Sequence, residues 1–407
     1  MEVVLQLVLM VDSRLVEIGA PSVRSFEKSG LGWFVEGENH DYIAPELLQV
    51  EESELMQFER TSQELYQLLI QTAEEVYRRD LLVDLGIPPQ AKDLIGYSLR
   101  EEKELHLIGR FDFAGGLNGG IPKMLEFNAD TCSLIPETCL VQPYQKDLLP
   151  RKHRRSAYQF NRLQSKLELQ LQRMLQARPQ LHPSFLVSGL GHMEDIINLD
   201  VVADVAEKVG FADVQQVNLE QLVFSPEEGI FLEINPGEYA KFDFWFKMVP
   251  WEFILFEEPQ LFKDLEQIIR KGLAVVANPA FTMLLQSKGI MKYLYEWHSD
   301  HPAVLKTSFS AQDFSAYHYV EKPMFGRTGD NVKIFQGSKY PTSENAGDYG
   351  SFRSVYQEVA QFDQDEDGDI YQPSVFWTGM PSAMCFRRQD DLIIDDDAEF
   401  VGHFVKR

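Results

Sequence analysis

The segment that most restricts the fold is Gly109-Arg-Phe-Asp-Phe113, ten loop residues, and then Met124-Leu-Glu-Phe-Asn-Ala-Asp130. Side chains alternate along a strand, so Arg110 and Asp112 share one face, and Glu126 and Asn128 share one face. The loop from Ala114 to Lys123 holds four glycines and an Asn118-Gly119 pair, a strong hairpin signal. A hairpin centred on Gly119 sets Asp112 opposite Glu126 and Arg110 opposite Asn128. Four polar groups then form one square patch, and Phe111, Phe113, Leu125 and Phe127 lie on the other face. That apolar face needs a core to cover it.

Hard oxygen ligands of this kind suit magnesium, which keeps several waters and bridges phosphates. An arginine beside the metal suits a transferring phosphoryl group, because a fixed guanidinium matches its oxygens. A surface hairpin with a cross-strand ion pair fits the same residues equally well. A second segment, Tyr319-Val-Glu-Lys-Pro-Met-Phe-Gly-Arg-Thr-Gly-Asp330, reads as a strand carrying Lys322 into a loop with Gly326 and Gly329. Glycines let backbone N–H groups approach phosphate oxygens, and a lysine adds a point charge. No GK[ST] follows, so it is not a Walker A loop, and an ordinary surface turn also explains it. The acidic run Asp363–Asp369 begins like a calcium loop, but Ser374 stands where a bidentate glutamate belongs and Pro373 blocks an exit helix. It reads as a turn between strands at Val355–Phe362 and Ile370–Trp377.

Elsewhere the periodicity predicts core-facing elements. Leu55, Phe58, Leu65, Leu69, Ala73 and Val76 mark an amphipathic helix over 51–80. A second helix is expected over 158–177, with Phe160, Leu163, Leu167, Leu171 and Leu175 on one stripe and Pro179 closing it. Residues 185–217 read as strand, Gly189-Leu-Gly191 turn, helix and strand. A dinucleotide fingerprint fails there, because Glu194 would face the pyrophosphate. The aromatic-rich stretch Phe231–Phe256 reads as core and as one wall of a cleft. With 407 residues, 44% of them hydrophobic, the chain is expected to form an α/β protein of two or more lobes. Three cysteines without a CxxC pair exclude a disulfide framework and a zinc ribbon. The apolar run Val3–Val11 is too short to span a membrane and lacks a basic start, so it is expected as a buried strand in a cytoplasmic protein. A net charge of −25 argues against nucleic acid and membrane partners and favours cationic ligands, although solubility alone also explains it.

Taken in order, these segments resemble the synthetase domain of the glutathionylspermidine synthetase family. The likeness runs from about residue 30 to the C-terminus. It rests on Gly109–Phe113, Glu126–Thr131, Asn278-Pro-Ala-Phe281 leading to Lys288, Val320–Arg327, Val355–Val359 and the closing Val401–Arg407. The resemblance implies an α/β (α+β) chain with an ATP-grasp fold and a preceding α/β domain. It implies ATP and magnesium as cofactors, and a reaction joining a carboxylic acid to an amine, possibly a polyamine, through an acyl phosphate. It gives Asp112, Glu126 and Asn128 as magnesium ligands and Arg110 as the group stabilising phosphoryl transfer. It also gives Lys288 and Lys322 on the ATP phosphates, Gly326, Arg327, Thr328 and Gly329 as the loop covering them, and Gln357 with Glu358 at adenine and ribose. An N-terminal region 1–275, with the metal hairpin at 107–130 and an α/β unit near 180–260, is expected to precede a nucleotide-binding region 276–407. The cysteine amidase domain of bifunctional members is not expected in this length. The acid and amine themselves do not follow from the resemblance. A kinase-like ATPase and a non-catalytic nucleotide-binding protein are the alternatives.

Overall fold

A computed structural model describes residues 10–20, 22–28, 31–35 and 41–406. The expected hairpin is part of the largest sheet. That sheet runs Leu15–Glu17, Ile43–Val50, Glu399–Lys406, Pro381–Gln389, Ile370–Trp377, Gly109–Ala114 and Lys123–Asn128 in spatial order. Two short strands, Asp363–Gln364 and Ala157–Tyr158, pair with Ile370–Trp377 and Glu399–Lys406 respectively. All pairs are antiparallel except Ile43–Val50 with Glu399–Lys406. Strands from before and after residue 275 therefore share one sheet.

The hairpin register is the expected one: Arg110 opposes Asn128 and Asp112 opposes Glu126. A bulge then slips the ladder by one residue and sets Phe113 against Met124. As a result Met124, not Leu125, joins Phe111, Phe113 and Phe127 in the core, and half-buried Leu125 lines the functional cleft. The helix Glu52–Arg78 covers this apolar face. Its Leu55, Phe58, Leu65, Leu69, Ala73 and Val76 are buried in the same core, and each large side chain so buried contributes about 1.5–3 kcal/mol. Glu51 and Glu54 cap its start reciprocally. Gly109 lets the hairpin close, since a Cβ there would stand 2.6 Å from the Phe127 ring.

A second sheet is parallel, in the order Val275–Ala277, Phe244–Lys247, Ser184–Gly189 and Asp213–Asn218. The helix Met193–Val209 links its last two strands, as the strand–turn–helix–strand pattern predicts. Leu222–Ser225, Gly229–Asn235 and Glu238–Phe242 form a small antiparallel sheet. The fourth sheet is antiparallel and carries Lys322: Thr307–Ser308, Ser354–Gln357, His318–Pro323, Lys333–Gln336 and Ser343–Glu344.

Two expectations are corrected, and a third falls outside the described residues. The helix expected from 158 begins at Leu163, because Ala157–Tyr158 pairs with the last strand and Asn161 bridges to Ala383. Phe160 is buried outside the helix. The strand expected at Val355–Phe362 ends at Gln357 and lies in a different sheet from Ile370–Trp377. The acidic turn is instead closed by Asp363–Gln364 on Ile370–Tyr371. The strand expected at Val3–Val11 falls almost wholly outside the described residues, with Val11 buried beside Gln364. Among the described residues no helix is long and apolar enough to cross a membrane.

Candidate active site

The edge hairpin and the Lys322 sheet face each other across two adjoining cavities. Nine of the residues singled out in the sequence line the first: Asp112, Glu126, Lys288, Lys322, Gly326, Arg327, Gly329, Gln357 and Glu358. Arg110, Asn128 and Thr328 line the second, which shares Asp112, Glu126, Arg327 and Gly329 with the first. All twelve are therefore brought together, although they are spread from residue 110 to residue 358.

The hairpin supplies a tightly bonded polar cluster. Arg110 is buried and grips Asp112 through two parallel bonds, Nε to Oδ1 at 2.8 Å and Nη2 to Oδ2 at 3.0 Å. Burial opposes the guanidinium charge, and Asp112 more than offsets it, so the Arg110 pKa is raised. Arg110 Nη1 also donates to the Ser133 carbonyl at 2.9 Å. Asn128 Nδ2 donates to Asp112 Oδ2 at 2.8 Å and to Glu126 Oε1 at 3.3 Å, so one amide touches both carboxylates. Ser374 Oγ donates to Asp112 Oδ1 at 2.7 Å from the neighbouring strand, where it pairs directly with Asp112.

Two lysines face this cluster. Lys288 Nζ lies 3.2 Å from Glu126 Oε2 and donates to the Gly326 carbonyl at 2.9 Å. Lys322 Nζ donates to Gln357 Oε1 at 2.9 Å. Enclosure would raise the Glu126 carboxyl, but Lys288 and Lys322 outweigh it and hold it well below the usual carboxylate range. Enclosure also pushes the Lys322 ammonium down to about 8, against the pull of Glu126. Glu358 is partly engaged, since its Oε1 accepts from the Lys306 N–H at 3.1 Å.

The glycine-bearing loop forms part of the lining of the first cavity. Gly329 has φ of +74°, and a Cβ there would meet the Ile393 side chain at 2.7 Å and the Ile394 carbonyl at 2.8 Å. Arg327 donates to Thr131 across the cleft. The first cavity is left with about 100 Å³, well below the roughly 300–1,000 Å³ of small-molecule pockets.

The second cavity, about 400 Å³, is not legible in the sequence. Its wall carries Arg110, Arg327 and Arg387 against Glu137, Glu194, Asp195 and Asp396. Glu137 is buried, accepts from the Tyr42 hydroxyl at 2.7 Å, and is pushed up to about 7 by burial. Glu194, which argues against a pyrophosphate at the Gly189–Gly191 turn, faces this cavity. Ser374 and Gln372 have a visible signal, a polar pair at period two inside the otherwise apolar Ile370–Trp377. Behind the site, Lys247 is fully buried and pairs with Asp130 at 2.8 Å, which in turn accepts from the Trp251 N–H.

Asp112, Glu126 and Asn128 form a set of two carboxylates and one amide. Among the described residues no group of three or more His, Cys, Asp or Glu is arranged to hold a metal. The small oxygen-rich set still fits magnesium, a cation that takes one or two carboxylates and completes its shell with water and phosphate.

The profile of the glutathionylspermidine synthase pre-ATP-grasp family matches residues 16–406. A candidate acid–amine ligase of Haemophilus influenzae is 26% identical over 366 residues, 86% of this chain and 88% of that protein. A glutathionylspermidine synthase of Crithidia fasciculata is 24% identical over 278 residues, 63% of this chain and 38% of its own length. Among solved structures, a glutathione synthetase-like effector of Globodera pallida superposes with a TM-score of 0.55 at 10% identity, covering 89% of this chain and 90% of that one. The fold is thus the mixed α/β ATP-grasp arrangement expected from the sequence. With the profile match spanning nearly the whole length, this chain belongs to the glutathionylspermidine synthase pre-ATP-grasp family, a family of ligases.

Proposed function

We propose that this chain is an ATP- and magnesium-dependent ligase that joins a carboxylic acid to an amine through an acyl phosphate. The observation that supports this best is the pairing of the two cavities. One is lined by two lysines and a glycine loop, the other by arginines and carboxylates, and Asp112 and Glu126 stand on their shared wall. In this reading the nucleotide-binding unit is 276–407 together with the hairpin 107–130.

Asp112, Glu126 and Asn128 would hold magnesium, which when bound neutralises phosphate charge and orients the triphosphate. Lys288 and Lys322 bind the phosphates, and Gly326–Gly329 covers them with backbone N–H groups. Gln357 and Glu358 take the adenine and ribose. Arg110 stabilises charge on the transferring phosphoryl group, already aimed by Asp112 and Ser133. A carboxylate oxygen of the acid attacks the γ-phosphorus and ADP leaves, so no base is needed for this step. The amine nitrogen then attacks the acyl carbon, phosphate leaves, and the nitrogen loses a proton. Glu137, with a pKa near 7, has the basicity to take it. Glu194, Asp195 and Asp396 give the cavity the charge to hold a cationic, polyamine-like amine. Closure of the loop excludes water that would destroy the acyl phosphate.

The test is ADP release measured over a matrix of carboxylic acids and amines with Mg·ATP. Release that needs an acid and an amine together supports the ligase. Release with acid alone, unchanged by every amine, replaces it with a kinase-like ATPase.

A further inference from the structure

Beside these two cavities, and sharing Asp330 with the first, lies a third cleft of about 770 Å³, between the helix Trp251–Glu257 and residues 348–353. Its floor is a row of four rings in mutual contact. Phe253 and Tyr349 have centroids 6.2 Å apart, Tyr349 and Phe352 6.4 Å, and Phe352 and Phe256 5.5 Å. Phe256 keeps 42% of its surface exposed, an apolar face that nothing covers among the described residues.

Four carboxylates line the same cleft: Glu252, Glu257, Asp330 and Asp348. Among the described residues the only cationic one lining it, Arg353, turns its guanidinium towards the Val83 carbonyl at 3.3 Å and the Phe309 ring. From beyond the lining Arg327 lies 5.7 Å over the Phe253 ring and acts on Glu252 and Tyr349, and Lys247, paired with Asp130, acts on Glu252. Negative charge therefore still predominates.

Glu252 adds an independent observation. It is 2% exposed, it lines the cleft, and its Oε2 is buried with no hydrogen-bond partner among the described residues. Buried carboxylate oxygens are normally satisfied, and leaving one bare is unfavourable. Burial accordingly pushes this carboxyl up to about 7. In its ionised form the carboxylate lacks a donor there, and a cation would supply one. A metal ion would gain nothing from four aromatic rings. An ammonium on a methylene chain uses both features, since its charge meets carboxylates and ring faces while its methylenes cover the exposed Phe256.

We propose that this cleft binds an organic cation, an alkylammonium of the polyamine type, at a site separate from the reaction. The separation rests on reading the second cavity as the place of the substrate amine. Spermidine is titrated calorimetrically into the full chain and into three variants: Glu194→Gln/Asp195→Asn, Glu252→Gln/Asp348→Asn and Phe256→Ala. The expected result is two binding events in the unaltered protein. Glu194→Gln/Asp195→Asn removes one of them. Glu252→Gln/Asp348→Asn weakens the other by about tenfold or more, and Phe256→Ala weakens it severalfold. Asp348 and Phe256 are exposed, so Asp348→Asn and Phe256→Ala serve alone should Glu252→Gln fail to fold. If only one event is seen, lost with Glu252→Gln/Asp348→Asn and untouched by Glu194→Gln/Asp195→Asn, the cleft site stands and the amine reading of the second cavity fails. No binding outside the second cavity, or binding that all the cleft variants leave unchanged, overturns the proposal.

Discussion

The two halves of the candidate site are built in opposite ways. Arg110, Asp112, Glu126 and Asn128 project from paired strands inside the largest sheet, and cross-strand register and mutual bonds fix each of them. Gly326–Gly329 sits on a loop between two strands of the Lys322 sheet, held by Lys288 on one carbonyl and by contact with Ile393 and Ile394. Groups that must meet a transition state gain from having no freedom to lose. On the proposed function the loop is a cover that must give way before a nucleotide enters a space of about 100 Å³. On the same proposed function, the difference gives chemistry to the hairpin and binding to the loop.

The largest effect should come from breaking the rigid half. Arg110→Ala is expected to lower turnover by about a hundredfold or more, with little change in nucleotide affinity. It also leaves Asp112 buried without its partner, so melting must be followed alongside the rate. Normal turnover in a folded Arg110→Ala protein would make the hairpin a structural element only. The loop half should respond through affinity instead. Gly329→Ala puts a Cβ at positive φ against Ile393 and Ile394, which opposes closure. KM for ATP should rise about tenfold while kcat changes less. A fall in kcat with KM unmoved would erase the contrast between the halves.

A smaller effect tests how the halves meet. Lys322 is charged below about pH 8 and neutral above it, because burial lowers its pKa. Phosphate needs the charged form, so nucleotide affinity should fall severalfold as pH rises from 7 to 9. Lys322→Met should bind weakly at both values and lose this slope. A slope that persists in Lys322→Met assigns it to another group.

The contrast between the halves also explains what the sequence discloses. The hairpin is legible because alternation and an Asn-Gly turn are local signals, and together they are enough to set Asp112 opposite Glu126. The bulge that exchanges Leu125 for Met124 is not legible, because it depends on how the strand packs against the core. Lys288 stands out only through resemblance, and Lys322 through its strand and the glycine loop that follows, but nothing local ties either to Glu126. The second cavity is hidden for the same reason. Glu137, Glu194, Asp195, Arg387 and Asp396 come from distant segments, and a solitary carboxylate in sequence carries no sign of what it will face. Glu252 sits in an aromatic stretch that reads as core and as one wall of a cleft, but nothing beside it in the chain marks the carboxylate itself.

The central claim is that one cleft takes ATP together with magnesium on the hairpin carboxylates. Calorimetric titration of ATP with and without magnesium, into the unaltered protein and into Glu126→Gln, tests it directly. Binding should be weak without magnesium and much tighter with it, and Glu126→Gln should lose most of that difference. No binding at millimolar Mg·ATP to a demonstrably folded protein, or a magnesium effect that Glu126→Gln leaves intact, would contradict it.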